Sequence, residues 1–161
     1  HERFNYNLVK SNFLKRTKDS QILLLPISVR LNCEQQSYLL TQEAKLATFG
    51  FRIAAQGDQN IIISEIPSIL KGKDILSLIK ELAIFDEDFE SSISFDSYLD
   101  YVCARIACHA SKRSGDQLSR AGVYALFDSL DNSEFAAACP HGRPTIIKLS
   151  HYQIEKSFGR I

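Results

Sequence analysis

The longest apolar run in this sequence, Ile22 to Ile27, contains a proline at position 26. Proline has no amide hydrogen to give to a β-ladder, so a run that holds one belongs at the edge of a sheet or at a crossover, not in a central strand. Gln21 to Leu31 therefore reads as extended chain interrupted at Pro26. Neither this run nor Ile61 to Ile63 approaches the roughly 20 apolar residues that a membrane-spanning helix needs. A chain of 161 residues with 45% apolar content is instead expected to bury one core as a compact soluble domain, with room for two lobes.

The periodicities around that run set out the remaining elements. Phe4, Leu8 and Phe13, with Lys10 and Lys15 between them, predict an amphipathic helix over residues 1–14, followed by a polar turn from Lys15 to Ser20. Asn32 is placed to cap a helix from Cys33 to Thr48 that Gly50 ends. Phe51 to Ala55 and Asn60 to Glu65 predict two strands joined by a polar, glycine-containing turn at 56–59. Pro67 to Lys73 is a connector, and Ile75, Leu78, Ile79 and Leu82 mark a further helix before the acidic residues Asp86, Glu87, Asp88 and Glu90, which read as a solvated loop. Helices are expected from Phe95 to about Ala110 and from about Asp116 to Leu130, then a strand from Thr145 to Leu149 and a helix from Ser150 or His151 to Phe158. The fold class is α+β, with a small βαββ arrangement set among helices.

Lys plus Arg balance Asp plus Glu at 19 each, so no global positive field is available to hold a nucleic-acid backbone, and any DNA binding must be local or borrowed. The N-terminus has no apolar signal core and the chain has no methionine, which leads us to expect a piece of a longer protein. Four cysteines are too few for a disulfide-stapled secreted domain and point to a reducing cytoplasm. Cys33 and Cys103 sit among apolar neighbours and are expected to be buried thiols.

The segment richest in chemistry is Cys139-Pro140-His141-Gly142-Arg143-Pro144, in which one rigid proline separates a thiol from an imidazole and a guanidinium follows. Cysteine sulfur and histidine nitrogen are ligands of zinc and other borderline divalent ions. Two ligands do not make a site, and spacing alone does not bring Cys108 or Glu2 to them. The same segment also reads as a partly buried cysteine, a surface histidine and a turn proline.

This segment resembles the Cys-Pro-His-Gly-Arg-Pro motif of nicking proteins of the MutL family, and other landmarks follow in the same order. His1-Glu2-Arg3 resembles the end of that family's Asp-Gln-His-Ala-x-x-Glu motif, with Glu2 as its glutamate and the first four residues expected just ahead of position 1. Ala107-Cys108-His109 resembles its Ala-Cys-Arg or Ser-Cys-Lys motif, and Phe158-Gly159-Arg160 its terminal Phe-x-Arg. The resemblance covers essentially the whole chain. It implies the bacterial, cytoplasmic C-terminal domain of such a protein: a homodimer acting in DNA mismatch repair as a metal-dependent endonuclease that nicks the daughter strand after recruitment by the mismatch sensor, with this domain alone binding DNA weakly.

The resemblance further implies two lobes, a dimerisation and catalytic one from residues 1–26 and 96–161 and an outer regulatory one from 27–95. Glu2, Cys108, Cys139 and His141 are the implied metal ligands, with manganese activating and zinc structural or regulatory. Glu2, Cys139, His141, Arg143 and Arg160 are the implied catalytic residues, the two arginines holding a phosphate or orienting a carboxylate. Gln21-Ile22-Leu23-Leu24-Leu25-Pro26 resembles the element by which such proteins dock on the replication sliding clamp, so Gln21, Leu24 and Pro26 are implied contacts, although the run reads equally as an ordinary strand.

Two positions depart from the pattern. His109 replaces a lysine or arginine, which leaves its place at the rim of a site or on the surface open, and Asn7 replaces a second glutamate five residues after the first. An amide brings no charge to a cation. Two function classes follow: a nicking endonuclease, inactive in the chain as it stands, and a non-catalytic dimerisation and clamp-binding module whose metal, if any, is structural.

Overall fold

Helix α1 (Glu2–Leu14) packs along α5 (Phe95–Ala110), and the contacts between them run in opposite senses along the two helices. Asn5 meets Ser111, Tyr6 and Lys10 meet Asp100, and Phe13 meets Phe95, so the pair is antiparallel. On α5, Leu99, Val102, Cys103, Ile106, Ala107 and Ala110 form one buried stripe at the helical repeat. On α1 the buried face is Asn5, Tyr6 and Val9, one residue round from the expected Phe4 and Leu8. The shift is possible because both polar residues have partners: Asn5 Nδ2 donates to Ser111 Oγ at 2.9 Å, and Tyr6 donates its hydroxyl hydrogen to Asp100 at 2.7 Å.

These helices belong to a computed structural model that describes residues 1–84, 94–113, 115–131, 144 and 146–159. The chain falls into two compact units, His1–Gln117 and Leu118–Ile161. In the first, α1 is followed by β1 (Ser20–Arg30), α2 (Cys33–Thr41), α3 (Glu43–Thr48), β2 (Arg52–Ala55), β3 (Asn60–Pro67), a 3-10 turn (Ser68–Leu70), α4 (Ile75–Leu82) and α5. The second holds α6 (Arg120–Asp131) and α7 (His151–Ser157), the latter opened by a reciprocal cap between Ser150 and Gln153. The α+β class is thereby met. No helix among the described residues is long and apolar enough to cross a membrane.

The sheet is antiparallel in the order β1-β3-β2, which leaves β1 at an edge as its proline requires. Register runs from Ser20↔Pro67 to Ile22↔Glu65 and resumes at Ile27↔Ile63, so Leu23 to Pro26 stand against Ser64 alone. The strand bulges where the missing amide hydrogen of Pro26 breaks the ladder.

Several local expectations are corrected. The predicted helix from Cys33 to Thr48 is two helices with a break at Gln42, where the Thr41 hydroxyl donates to the Tyr38 carbonyl and competes with the helical pattern. Asn32 does cap α2, in a reciprocal box with Gln35. Gly50, at φ +98°, ends α3: its amide bonds to Ala47 and that of Phe51 to Leu46, and a Cβ here would come within 2.9 Å of Ser20 Cβ. Cys33, expected to be buried, is exposed because it occupies the first turn of α2 on the outward side. The helix expected from Asp116 begins at Arg120, where Ser119 accepts a hydrogen bond from the Gly122 amide. Residues 146–149 form no strand, and Thr145 and the acidic run 86–90 lie outside the described residues.

The central strand carries one charged side chain on its buried face. Ile61 and Ile63 are fully buried, and Glu65, two residues on, is only 5% exposed. Lys18 at 2.8 Å and the Ser20 hydroxyl both reach Oε1, while Oε2 forms an ion pair with Arg52 at 3.1 Å and has no hydrogen-bond partner among the described residues. The hydrogen bond from Lys18 is the largest influence holding its pKa below the ordinary value of 4.5, with Ser20 next and burial opposing both. A carboxyl with a depressed folded pKa stabilises the fold above the unfolded pKa and loses that contribution as pH falls through the folded value. Glu65→Gln is therefore expected to cost about 1–2 kcal/mol at neutral pH, the figure being held down by the exposure of Lys18 and Arg52. The penalty should shrink as pH drops below about 4.5, which urea unfolding of both proteins across that range would reveal.

Candidate functional site

Glu2 opens α1 and Cys108 lies in the last turn of α5, and the antiparallel packing brings these two ends to the same end of the first unit. The ends are pinned by polar contacts. Asn5 donates to Ser111, whose hydroxyl donates back to the Ala107 carbonyl at 2.6 Å, and the Lys112 amide donates to His1 Nδ1 at 3.3 Å. Cys108 is exposed, yet its thiol pKa is raised, first by partial desolvation and then by the negative charges of Glu2 and Glu81. The carboxylate of Glu2 thus lies within electrostatic reach of the sulfur, two positions separated by more than a hundred residues in sequence.

Glu81 is the residue that sequence reasoning missed. It closes α4, where its amphipathic setting signals nothing beyond a solvated helix end. In the structure three α5 side chains, at i, i+4 and i+8, converge on it: Tyr101 donates to its backbone carbonyl, Arg105 reaches Oε2 at 3.3 Å, and His109 Nε2 lies 3.1 Å from Oε1. His109 is therefore not on the surface. It is 9% exposed, its Nδ1 has no hydrogen-bond partner among the described residues, and its position is set by Glu81. Cys103, by contrast, is buried as expected, and burial pushes its thiol up to about 12, where it is inert.

Of the residues implied as metal ligands, Glu2 and Cys108 lie at the same end of the α1–α5 pair, while Cys139 and His141 lie outside the described residues, as do Arg143 and Arg160. A carboxylate beside a thiol suits a borderline divalent cation. Among the described residues, however, no three His, Cys, Asp or Glu side chains converge closely enough to hold an ion. Phe158, ahead of Arg160, is exposed. Asn7 is half-buried on α1.

The implied clamp contacts fall on the bulge of β1. Leu24 is 96% exposed, Pro26 is exposed and Gln21 half-buried in the ladder opposite Ile66. The alternation of an ordinary half-buried strand is lost between Ile22 and Ile27, so the run departs from the plain strand reading at its centre.

A family model described as the MutL C terminal dimerisation domain matches residues 1–118. The chain is 36% identical over 160 residues to the DNA mismatch repair protein MutL of Bartonella bacilliformis, covering 99% of this chain and 26% of that protein. It is 35% identical over 161 residues to the protein of the same name from Rickettsia canadensis, again 99% of this chain and 26% of the relative. The chain thus spans about a quarter of the length of the curated relatives it matches.

The pairing of Glu2 with Cys108 has a chemical signature independent of any metal. Removing a negative charge near a thiol lowers its pKa and raises the thiolate fraction at neutral pH. Glu2→Gln should therefore speed alkylation of Cys108 by roughly twofold in chelator-treated protein, read by mass spectrometry of the modified peptide; an unchanged rate would separate the two residues.

Proposed function

The chain belongs to the family of MutL C-terminal dimerisation domains, and from that premise we propose that it pairs with a second copy of itself in a DNA mismatch repair protein and carries the site that nicks the daughter strand. Recruitment by the mismatch sensor and weak DNA binding by this part alone are included in the reading. The two-lobed division at residues 26 and 95 is proposed with it. The observation that carries the catalytic part is that the bonds from Asn5 to Ser111 and from Lys112 to His1 pin the helix start bearing Glu2 to the helix end bearing Cys108.

In this reading Glu2, Cys108, Cys139 and His141 hold manganese as the activating ion, with zinc in a structural or regulatory place. A divalent ion held there would supply an activated water and stabilise charge on the phosphate. The chain's own contributions are separate. Glu2 and Cys108 bring hard and soft donors to one place, Arg143 and Arg160 hold a phosphate or orient a carboxylate, and the Asn5–Ser111 bond fixes the helix ends that present the donors. Arg105 and His109, through Glu81, brace the helix whose last turn carries Cys108.

A second reading, the non-catalytic dimerisation and clamp-binding module, is favoured by Asn7, whose amide supplies no charge where the family pattern has a glutamate. Nicking distinguishes the two. A polypeptide that carries Asp-Gln-His-Ala-type residues ahead of His1 is expected to nick supercoiled DNA with manganese, and Glu2→Gln or Cys108→Ser to lower the rate on the order of a hundredfold while the dimer persists in sedimentation. A folded dimer that never nicks leaves the second reading.

Docking on the sliding clamp is proposed for Gln21, Leu24 and Pro26, supported by the bulge that lifts Leu24 off the ladder. Leu24 makes little contribution to the core, so Leu24→Ala should leave thermal stability unchanged and weaken clamp binding about tenfold. Equal clamp affinity in surface plasmon resonance would return the segment to a plain edge strand.

A further inference from the structure

The other end of the α1–α5 pair is unlike the first. Phe13, near the end of α1, stacks on Phe49 at a ring separation of 5.0 Å and leans toward Phe95, the first residue of α5, at 6.2 Å. Two hollows open over these rings, of about 200 and 650 Å³. Their floor is apolar, and two side chains around them are left in water: Phe95 is 59% exposed and Leu14 65%. The larger hollow is within the size range of a binding cleft.

The rim is cationic. Arg16 and Lys18 line the larger hollow and Lys45 the smaller. Lys18 is committed to the buried Glu65, but Arg16 and Lys45 make no ion pair with any described residue; Lys45 lies 4.6 Å over the Tyr98 ring. Two unpaired cations beside uncovered aromatic and aliphatic side chains complement one kind of occupant, an anionic chain with an apolar anchor. Nucleic acid is disfavoured because affinity for phosphates grows with the number of cations that neutralise them, and among the described residues at this rim only two lack an ion pair, on a chain of net charge zero.

We propose that this groove docks an acidic peptide segment of another protein, with an aromatic or leucine side chain seated over Phe13 and Phe95 and carboxylates at Arg16 and Lys45. The site lies at the opposite end of α1 and α5 from Glu2 and Cys108 and does not depend on nicking. Carboxylates at the rim are screened by salt, so the electrostatic part of the affinity should fall as ionic strength rises.

The test uses the whole 161-residue chain and a fluorescent peptide that alternates glutamate with phenylalanine and leucine. Anisotropy is expected to show saturable binding that weakens about tenfold when glutamine replaces glutamate in the peptide, and by a similar factor in the paired variant Arg16→Glu, Lys45→Glu. Phe95→Ser and Leu14→Ser, both at exposed positions, should each reduce affinity while circular dichroism stays unchanged. No binding, equal binding of the neutral peptide, or full affinity in the charge-reversed variant would overturn the proposal. Tighter binding of a single-stranded oligonucleotide, lost in the same variant, would overturn it in favour of nucleic acid.

Discussion

The antiparallel packing of α1 on α5 is the constraint from which the rest of the first unit follows. Three kinds of contact act along one interface. Asn5 and Ser111 close one end by a buried hydrogen bond, Tyr6 and Lys10 grip Asp100 in the middle, and Phe13 meets Phe95 at the other. Between them the stripe from Leu99 to Ala110 is removed from water. Because the helices run in opposite senses, residues near the start of the chain are delivered to residues beyond position 100. Glu2 and Cys108 are placed at the same end of the helix pair in this way.

The sheet is held by a different device. Its central strand places Glu65 where an isoleucine would continue the pattern of Ile61 and Ile63, and β1, β2 and the turn before β1 each send a partner to it. Such a carboxylate costs desolvation, which two cations and a hydroxyl offset, although Oε2 makes only the ion pair with Arg52. Its benefit is register. A slip of β1 or β2 by one residue would remove Ser20 or Arg52 from the acid and leave a buried charge with fewer partners.

The elements were legible where one periodicity governs a segment, and illegible where a polar side chain changes the outcome. The stripe on α5 was readable because six apolar residues recur at helical spacing with nothing competing. Pro26 gave the edge position of β1, since its missing amide hydrogen is a local fact. The break at Gln42 was hidden because it depends on Thr41 bonding back to Tyr38, and the inward turn of Asn5 was hidden because its partner lies 106 residues away. At the candidate site, Glu2 and Cys108 were recognisable through motif resemblance alone. Glu81 had no signal, for an acid at the end of an amphipathic helix is usually solvated and only the fold brings Tyr101, Arg105 and His109 to it.

His109 illustrates how a departure from a family pattern can be absorbed. A lysine or arginine at this position would carry a permanent charge on a long side chain able to reach outward. Histidine is shorter, and here it turns inward to Glu81, which Arg105 engages from the preceding turn of the same helix. One cation is thus replaced by a carboxylate shared between an imidazole and a guanidinium. The helix end next to Cys108 gains a tie to α4, while positive charge at the outer surface falls to Lys112 and Arg113, both exposed. The imidazole is held in place by Glu81, near the end of a helix whose start Asp74 caps.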